Sequence, residues 1–468
     1  MAQIGVVDFV VSEERASRLR IAALLNKAIF GSLVLLLVIS PIPYGTAEPW
    51  WKAAFVCAVF AICFFAILES LLSGETRVGG DRGLLFSMLA LSAFAFLQTL
   101  TIGRANPDPT VSALGPWNAI SADPYQTRFF VLQLLALMTC LALAYRYSKT
   151  QIRLDILFHA VLGIAVASAI FGILRQTIQH QPGFVLPRTM PGQGYGQYIN
   201  KNHFAYLMEM AFGLGIGRAL ATGFRRDRVV VYVALLLPIW MGLVLSNSRG
   251  GILAMMAHVG VASILLTSGR SRQEVPQWFH SKAIRLVLIG FLVLVIFGGA
   301  IWTGGDRLVS TFSAASTEFN PEANGSRQGA TRNEIWRATL KMFSAHPIVG
   351  VGLGGYWAAI TEFHDASGTS TPQEAHNDYL ELLSSGGLVG LAIGVWFVVA
   401  LFRKMAVNLA SRDRFQSALC VSALLGIAGV AVHSMVDFGL HLLGNAFVFV
   451  ILLMFATNRV VAERKSEN

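Results

Sequence analysis

The chain has 468 residues, of which 54% are hydrophobic and only 13% charged, with a formal net charge of +10. Soluble globular proteins carry about 25% charged residues, so this composition excludes an ordinary soluble enzyme and points to lipid as the solvent. The surplus of positive charge is spread between apolar runs instead of gathered in one patch, which excludes nucleic acid as a partner.

Twelve apolar runs are long enough to cross a ~30 Å hydrocarbon core. They fall at roughly 28–44, 53–72, 84–102, 129–147, 156–178, 203–221, 229–247, 250–267, 284–303, 385–402, 416–435 and 443–461. With the N-terminus inside, 24 of the 36 Lys and Arg lie on the cytoplasmic side, and five of the other 12 lie in one long loop. That distribution obeys the positive-inside rule. The expected fold class is an all-α polytopic membrane protein of about twelve transmembrane helices. Its parts are a cytoplasmic tail at 1–27, helices one to nine at 28–303, a large, partly helical external loop at 304–384, helices ten to twelve at 385–461, and a cytoplasmic tail at 462–468. The four cysteines, Cys57, Cys63, Cys140 and Cys420, all fall within predicted spans, so no disulfide framework is expected in the loops. Residues 1–27 are polar and the first span lacks a small-residue cleavage site, so that span should remain as an anchor.

Polar residues mark several places along these spans. Asn200-Lys201-Asn202-His203 opens the sixth span from outside, either as a helix cap with interface anchors or as a phosphate contact. Glu209 lies inside that span and needs a partner the sequence does not name. Arg249 sits in the tight external turn Ser248-Arg249-Gly250-Gly251. It is either a snorkelling anchor or a planar fork for phosphate oxygens.

In the long loop, Thr331 to Phe343 has helical spacing, with Ile335, Trp336, Thr339, Leu340 and Phe343 as an apolar stripe and Arg332 and Lys341 off it. Arg332 and Arg337 are either a solvated face or, with Lys341, a means of neutralising an anionic head group. The helix should end at His346-Pro347, before the run Gly350 to Gly355. That run lacks a preceding strand and a Lys-Ser/Thr, so it is not a nucleotide loop. His376 follows Glu374-Ala375 and precedes Asn377-Asp378-Tyr379 at the end of the loop. It is either a polar surface residue or a general base, since an imidazole can take a proton from a sugar hydroxyl near neutral pH. His433, Asp437 and His441 recur every four residues and would share one helix face, as metal ligands or as a hydrogen-bonded cluster.

In this order the segments resemble the O-antigen ligase/polymerase superfamily of bacterial envelope glycosyltransferases. The matching pieces are Asn200 to Ala205, Ser248 to Gly251, Arg332 to Trp336, His346 to Gly352, His376 to Glu381 leading into Gly386 to Gly390, and His433 to Phe438. The resemblance implies a GT-C-like fold in the bacterial inner membrane, with the active site facing the periplasm. It implies an inverting transferase that needs no metal or other cofactor. The donor would be a polyprenyl-diphosphate-linked oligosaccharide and the acceptor a glycan or lipid-linked sugar. Membrane lipid, and a flippase and chain-length regulator of the same pathway, would be its partners.

By the same resemblance Arg249 and Arg332 engage the diphosphate and His376 deprotonates the acceptor. Lys201, Asn202, His203, Arg337, Asn377, Tyr379, Glu381, His433 and Asp437 complete the expected substrate-binding set. Lys201 stands where the family often has Arg, which removes a bidentate contact there. Likeness of the HSMVDF and NKNHFA segments to exopolysaccharide-type members favours a polymerase of O-antigen or exopolysaccharide repeats. A ligase onto lipid A core, a protein O-glycosyltransferase and a non-catalytic glycolipid transporter are the alternatives.

Overall fold

The computed structural model describes residues 2–76, 80–101, 119–178, 186, 188–189, 194–222, 226–267, 290, 331–364 and 372–458. Their regular structure is helical, apart from two isolated bridges, Thr101 with Ala119 and Tyr195 with Tyr198. In chain order the helices are α1 (Ala2–Ile39), α2 (Pro49–Ser73), α3 (Arg82–Gln98), α4 (Pro124–Tyr147), α5 (Gln151–Ile178), α6 (Lys201–Thr222), α7 (Arg226–Leu245) and α8 (Arg249–Thr267). Then come α9 (Arg332–Ala345), α10 (Tyr356–Phe363), α11 (Asp378–Leu409), α12 (Arg414–His433) and α13 (Leu443–Thr457).

Among the described residues seven helices are long and apolar enough to cross a membrane, and four more, in α3, α7, α8 and α13, are apolar but shorter. The chain is a multi-pass membrane protein. Each predicted span coincides with one of these helices except 284–303, which apart from Gly290 lies outside the described residues, as do loop residues 304–330. The predicted tail at 1–27 is not separate from the first span, because α1 runs through it from Ala2. Good helix formers and the Glu14–Arg18 ion pair, one turn apart, carry the helix beyond the apolar run.

The centre is the contact of α6 with α12. Gly213 and Gly217 face the backbones of Gly426 and Ser422 so closely that neither glycine has room for a Cβ. Within lipid, apolar side chains gain little by meeting one another, so close backbone packing over small residues holds helices together. Glu209 of α6 and His433, the last residue of α12, are completely buried there, with Oε2 and Nδ1 2.7 Å apart. Glu209 thus finds its partner, and the His433 ring stacks on Tyr206 with centroids 4.1 Å apart.

α11 is broken at Gly387, where φ is 61° and ψ −161°. A break in a spanning helix frees amides and carbonyls that lipid cannot satisfy. The glycine run satisfies them. Val351 and Gly352 donate to the Ser384 and Ser385 carbonyls (3.1 and 2.9 Å), while Leu388 and Val389 donate to Pro347 and Ile348 (2.8 and 3.1 Å). Gln98 of α3 ties the strap down, donating to the Val349 and Ser385 carbonyls (2.6 and 3.1 Å) and accepting from Leu353 N (3.1 Å). Gly350 and Gly352 need their glycine: φ is +67° and +98°, and neighbouring atoms occupy the Cβ position.

Candidate active site

α9 starts under a capping box, with Thr331 Oγ1 accepting from Glu334 N (3.4 Å) and Glu334 Oε2 accepting from Thr331 N (2.8 Å). Its buried face is Ile335, Ala338, Thr339 and Met342. Ala338 and Met342 join Val351, Tyr356, Ala359, Ile360 and Ala375 in a small core of the loop's own. The predicted stripe is therefore rotated: Leu340 is exposed, and Ala338 and Met342 take its place against that core. Trp336 Nε1 donates to the Ala375 carbonyl at 3.0 Å, tying α9 to the residue before His376.

His376 has a left-handed backbone, with φ +51°. For a residue with a Cβ this costs about 1–3 kcal/mol and persists only where the surroundings impose it. Three contacts impose it here. Ala375 N donates to Glu381 Oε2 at 2.9 Å, Ala375 O accepts from Trp336, and Asp378 N donates to the Ser434 carbonyl at 2.9 Å.

The side chains converge on Asp437, in the connection between α12 and α13. Its carboxylate is 1% exposed. Asn202 Nδ2 donates to Oδ2, and Arg332 Nη2 lies 3.5 Å from the same oxygen. His203 Nε2 and His376 Nδ1 lie 3.7 and 3.8 Å from Oδ1. Burial pushes the carboxyl up, but the facing rings of His203 and His376 outweigh it and hold Asp437 well below the usual carboxylate range. Phe438 sets its ring edge-to-face against His203 and His376, at centroid distances of 4.9 and 4.8 Å. The His376 ring is 32% exposed, so one side remains open to a ligand.

Arg249 opens α8. Asn247 takes φ +54° to make the turn, and Ser248 Oγ accepts from Gly251 N at 3.2 Å. Gly250 lies flat against the His433 ring, with no space for a Cβ. Lys201 is close enough to Arg249 for their like charges to repel. The N-termini of α6, α8, α9 and α11 thus all meet the stretch His433 to Phe438. Helix N-termini present the positive ends of their backbone dipoles. Added to Arg249, Arg332 and Lys201, they make a place for a large anion beside an imidazole.

Several expected substrate contacts are placed otherwise. His433, Asp437 and His441 do not share a helix face, because α12 stops at His433. Asp437 Oδ1 accepts from Phe438 N (2.9 Å) and Asp378 N takes the Ser434 carbonyl, so local bonds compete with further helix. His433 is completely buried against Glu209 and cannot touch a substrate directly. Arg337 is exposed and lies about 140° around α9 from Arg332, so the two leave the helix on different sides. Asn377 caps α11, its Oδ1 accepting from Tyr379 and Leu380 N (3.1 and 3.0 Å). Tyr379 donates its hydroxyl to the Ala431 carbonyl (2.7 Å), and Glu381 holds Ala375 N. These three residues secure the loop against α11 and α12.

Ser434 and Phe438 fall in the matched segment His433 to Phe438 but were not singled out, and Tyr206 had no mark at all, because the roles of all three exist only in the folded contacts. His441 lies in the short 3-10 turn Gly439–His441. Its Nδ1 is 3.3 Å from Glu374, and its Nε2 is 3.4 and 3.8 Å from Asp378 and Glu381. Glu374, Glu381 and His441 have the spacing to surround a cation, but both ring nitrogens already face carboxylates, whereas a metal would take one of them. Burial pushes Glu374 up and His441 down. Their mutual attraction reverses both, holding Glu374 below and His441 well above the ordinary value.

No match was found among curated proteins. Residues 233–395, from α7 through the loop to the first half of α11, include Arg249, Arg332 and His376 and match the family model described as O-antigen ligase; over that stretch the chain carries the domain of the O-antigen ligase/polymerase superfamily.

Proposed function

We propose that the protein is an inverting glycosyltransferase that takes its glycan from a polyprenyl diphosphate at the periplasmic face, polymerising O-antigen or exopolysaccharide repeat units. The observation that carries this reading is the meeting of His376, Arg332, Asn202 and His203 on Asp437, beside Arg249 and Lys201. The acceptor hydroxyl attacks the anomeric carbon from the face opposite the diphosphate. As the new glycosidic bond forms, the bond from that carbon to the diphosphate oxygen breaks, and the acceptor proton passes to His376 Nε2. Asp437, 3.8 Å from Nδ1, orients the ring and stabilises the imidazolium as the site tightens. Arg249 and Arg332 neutralise the charge that develops on the departing lipid diphosphate, so the scheme calls on no metal or other cofactor. A flippase that delivers the donor and a regulator of chain length of the same pathway are the partners this reading proposes.

This reading needs twelve spans in the inner membrane, with 284–303 as the ninth, residues 304–384 in the periplasm and both tails in the cytoplasm. Reporter fusions at Gly325 and Arg226 should report outside and inside; a cytoplasmic Gly325 would end the reading. Replacing Arg249 or Arg332 with Ala should abolish transfer while folded protein stays in the membrane. Lys should rescue poorly, since it cannot present a bidentate fork. Wild-type donor affinity in both Ala variants would remove the arginines from the site.

The family description favours a second acceptor, the lipid A core of a ligase reaction. Deleting the gene separates the two. Accumulated polyprenyl-linked single repeats mean a polymerase, and accumulated polyprenyl-linked long chains mean a ligase.

A further inference from the structure

His441 takes no part in the steps above, yet it stands behind the base. Two of the carboxylates it faces, Glu374 and Asp378, flank His376 by two residues on either side, and the third, Glu381, holds the amide of Ala375. Three carboxylates are gathered at one partly buried point, where Glu374 and Glu381 share a side-chain hydrogen bond that offsets part of their repulsion. Lys52 of α2 also attracts Glu374. Phe438 stands between the two histidines, its ring 4.8 Å from His376 and 5.5 Å from His441, so the three rings pack edge against face in a row.

We propose that His441 is a positioning residue: its imidazole bridges Glu374, Asp378 and Glu381, and so holds His376 in its left-handed conformation facing Asp437. The inference rests on the reading of His376 as the base. Without the bridge the carboxylates spread, the φ of His376 relaxes to the ordinary region and the ring leaves Asp437. The diphosphate contacts at Arg249 and Arg332 lie on other elements and stay in place. A divalent cation held by Glu374, Glu381 and His441 is the competing arrangement; it would need a neutral ring with one nitrogen turned to the metal.

The test is transfer from a purified polyprenyl-diphosphate donor in detergent, measured for wild type, His441→Ala, His441→Arg, the double variant His441→Ala with Glu381→Gln, and His376→Ala. His441→Ala should lower kcat by at least about tenfold, the scale of a misplaced catalytic group, with donor KM within about twofold. His441→Arg should restore most of kcat, because a guanidinium can reach several carboxylates at once. The double variant should regain part of it, because the amide of Glu381→Gln can still hydrogen-bond Glu374 but cannot ionise once the imidazole is gone, and EDTA should leave the wild type unchanged. Wild-type kcat in His441→Ala overturns the proposal. So does a failure of both the Arg and the double variant to recover activity, or an EDTA inhibition that divalent cation reverses. An active His376→Ala enzyme sinks the reading of the base itself, whereas an inactive His376→Ala beside a fully active His441→Ala sinks only the role of His441.

Discussion

His433 and His441 lie eight residues apart and both face carboxylates, but their surroundings differ in every other respect. His433 meets one carboxylate, Glu209, at 2.7 Å, and both side chains are 0% exposed. His441 is 36% exposed and is shared among three carboxylates at 3.3 to 3.8 Å. The first pair lies between α6 and α12 under the Arg249 turn, where charge has no solvent to fall back on. The second lies at the surface behind His376, where water and protons reach it. A buried pair fixes structure and is costly to break, whereas an open cluster can be adjusted, and pH is one way to adjust it.

The largest effect expected on stability comes from breaking the buried pair. His433→Ala leaves the Glu209 carboxylate unpaired in an apolar interior and should cost about 3–5 kcal/mol, read as early thermal unfolding in detergent. Replacing both residues with apolar side chains of similar volume should recover much of that loss. A His433→Ala protein as stable as wild type would remove the distinction between the two clusters.

A smaller effect should follow pH. The folded protein raises His441, so its contribution is complete below the ordinary histidine value and fades as pH climbs through the raised one. Glu374 is lowered, so its contribution is complete above the ordinary carboxylate value and fades as pH falls through the lowered one. The cluster of Glu374, Asp378, Glu381, His441 and Lys52 should therefore hold across neutral pH and loosen at both ends. Thermal stability of the wild type should drop on the alkaline side, and His441→Arg should not show that drop. Parallel alkaline profiles for the two proteins would mean that His441 carries no charge that matters.

The smallest effect belongs to Arg337. It is exposed and faces away from the site, so Arg337→Ala should stay within about 0.5 kcal/mol of wild type and transfer at nearly the wild-type rate. A large loss of activity would show that the exposed face of α9 also binds substrate.

Most of the described membrane helices could be read from apolar length, because a span must fill the hydrocarbon core whatever it packs against. The start of α9 was legible too, since the helical spacing begins at Thr331, the residue that caps the helix. Tertiary contacts decided the rest. The face α9 buries depends on Tyr356 and Ala375, which no periodicity within α9 names. The glycine run reveals its purpose only once the break at Gly387 and the reach of Gln98 are seen together. Equal spacing suggested one helix face for His433, Asp437 and His441, but the helix ends at the first of them and each enters a different environment. At the site, residue types marked Arg332 and His376, while Asp437 as their meeting point depended on bringing together α6, α9 and the α12–α13 connection.

The account turns on His376 as the base, and one comparison tests that most directly: donor binding and transfer rate for His376→Ala against wild type, on the same polyprenyl-diphosphate glycan. Binding should be unchanged, because Arg249 and Arg332 are intact, while transfer should fall by about 10²–10⁴-fold, the usual contribution of a positioned base. A His376→Ala enzyme that keeps more than roughly a tenth of the wild-type rate would contradict the account and leave His376 as a residue that only holds the loop in place.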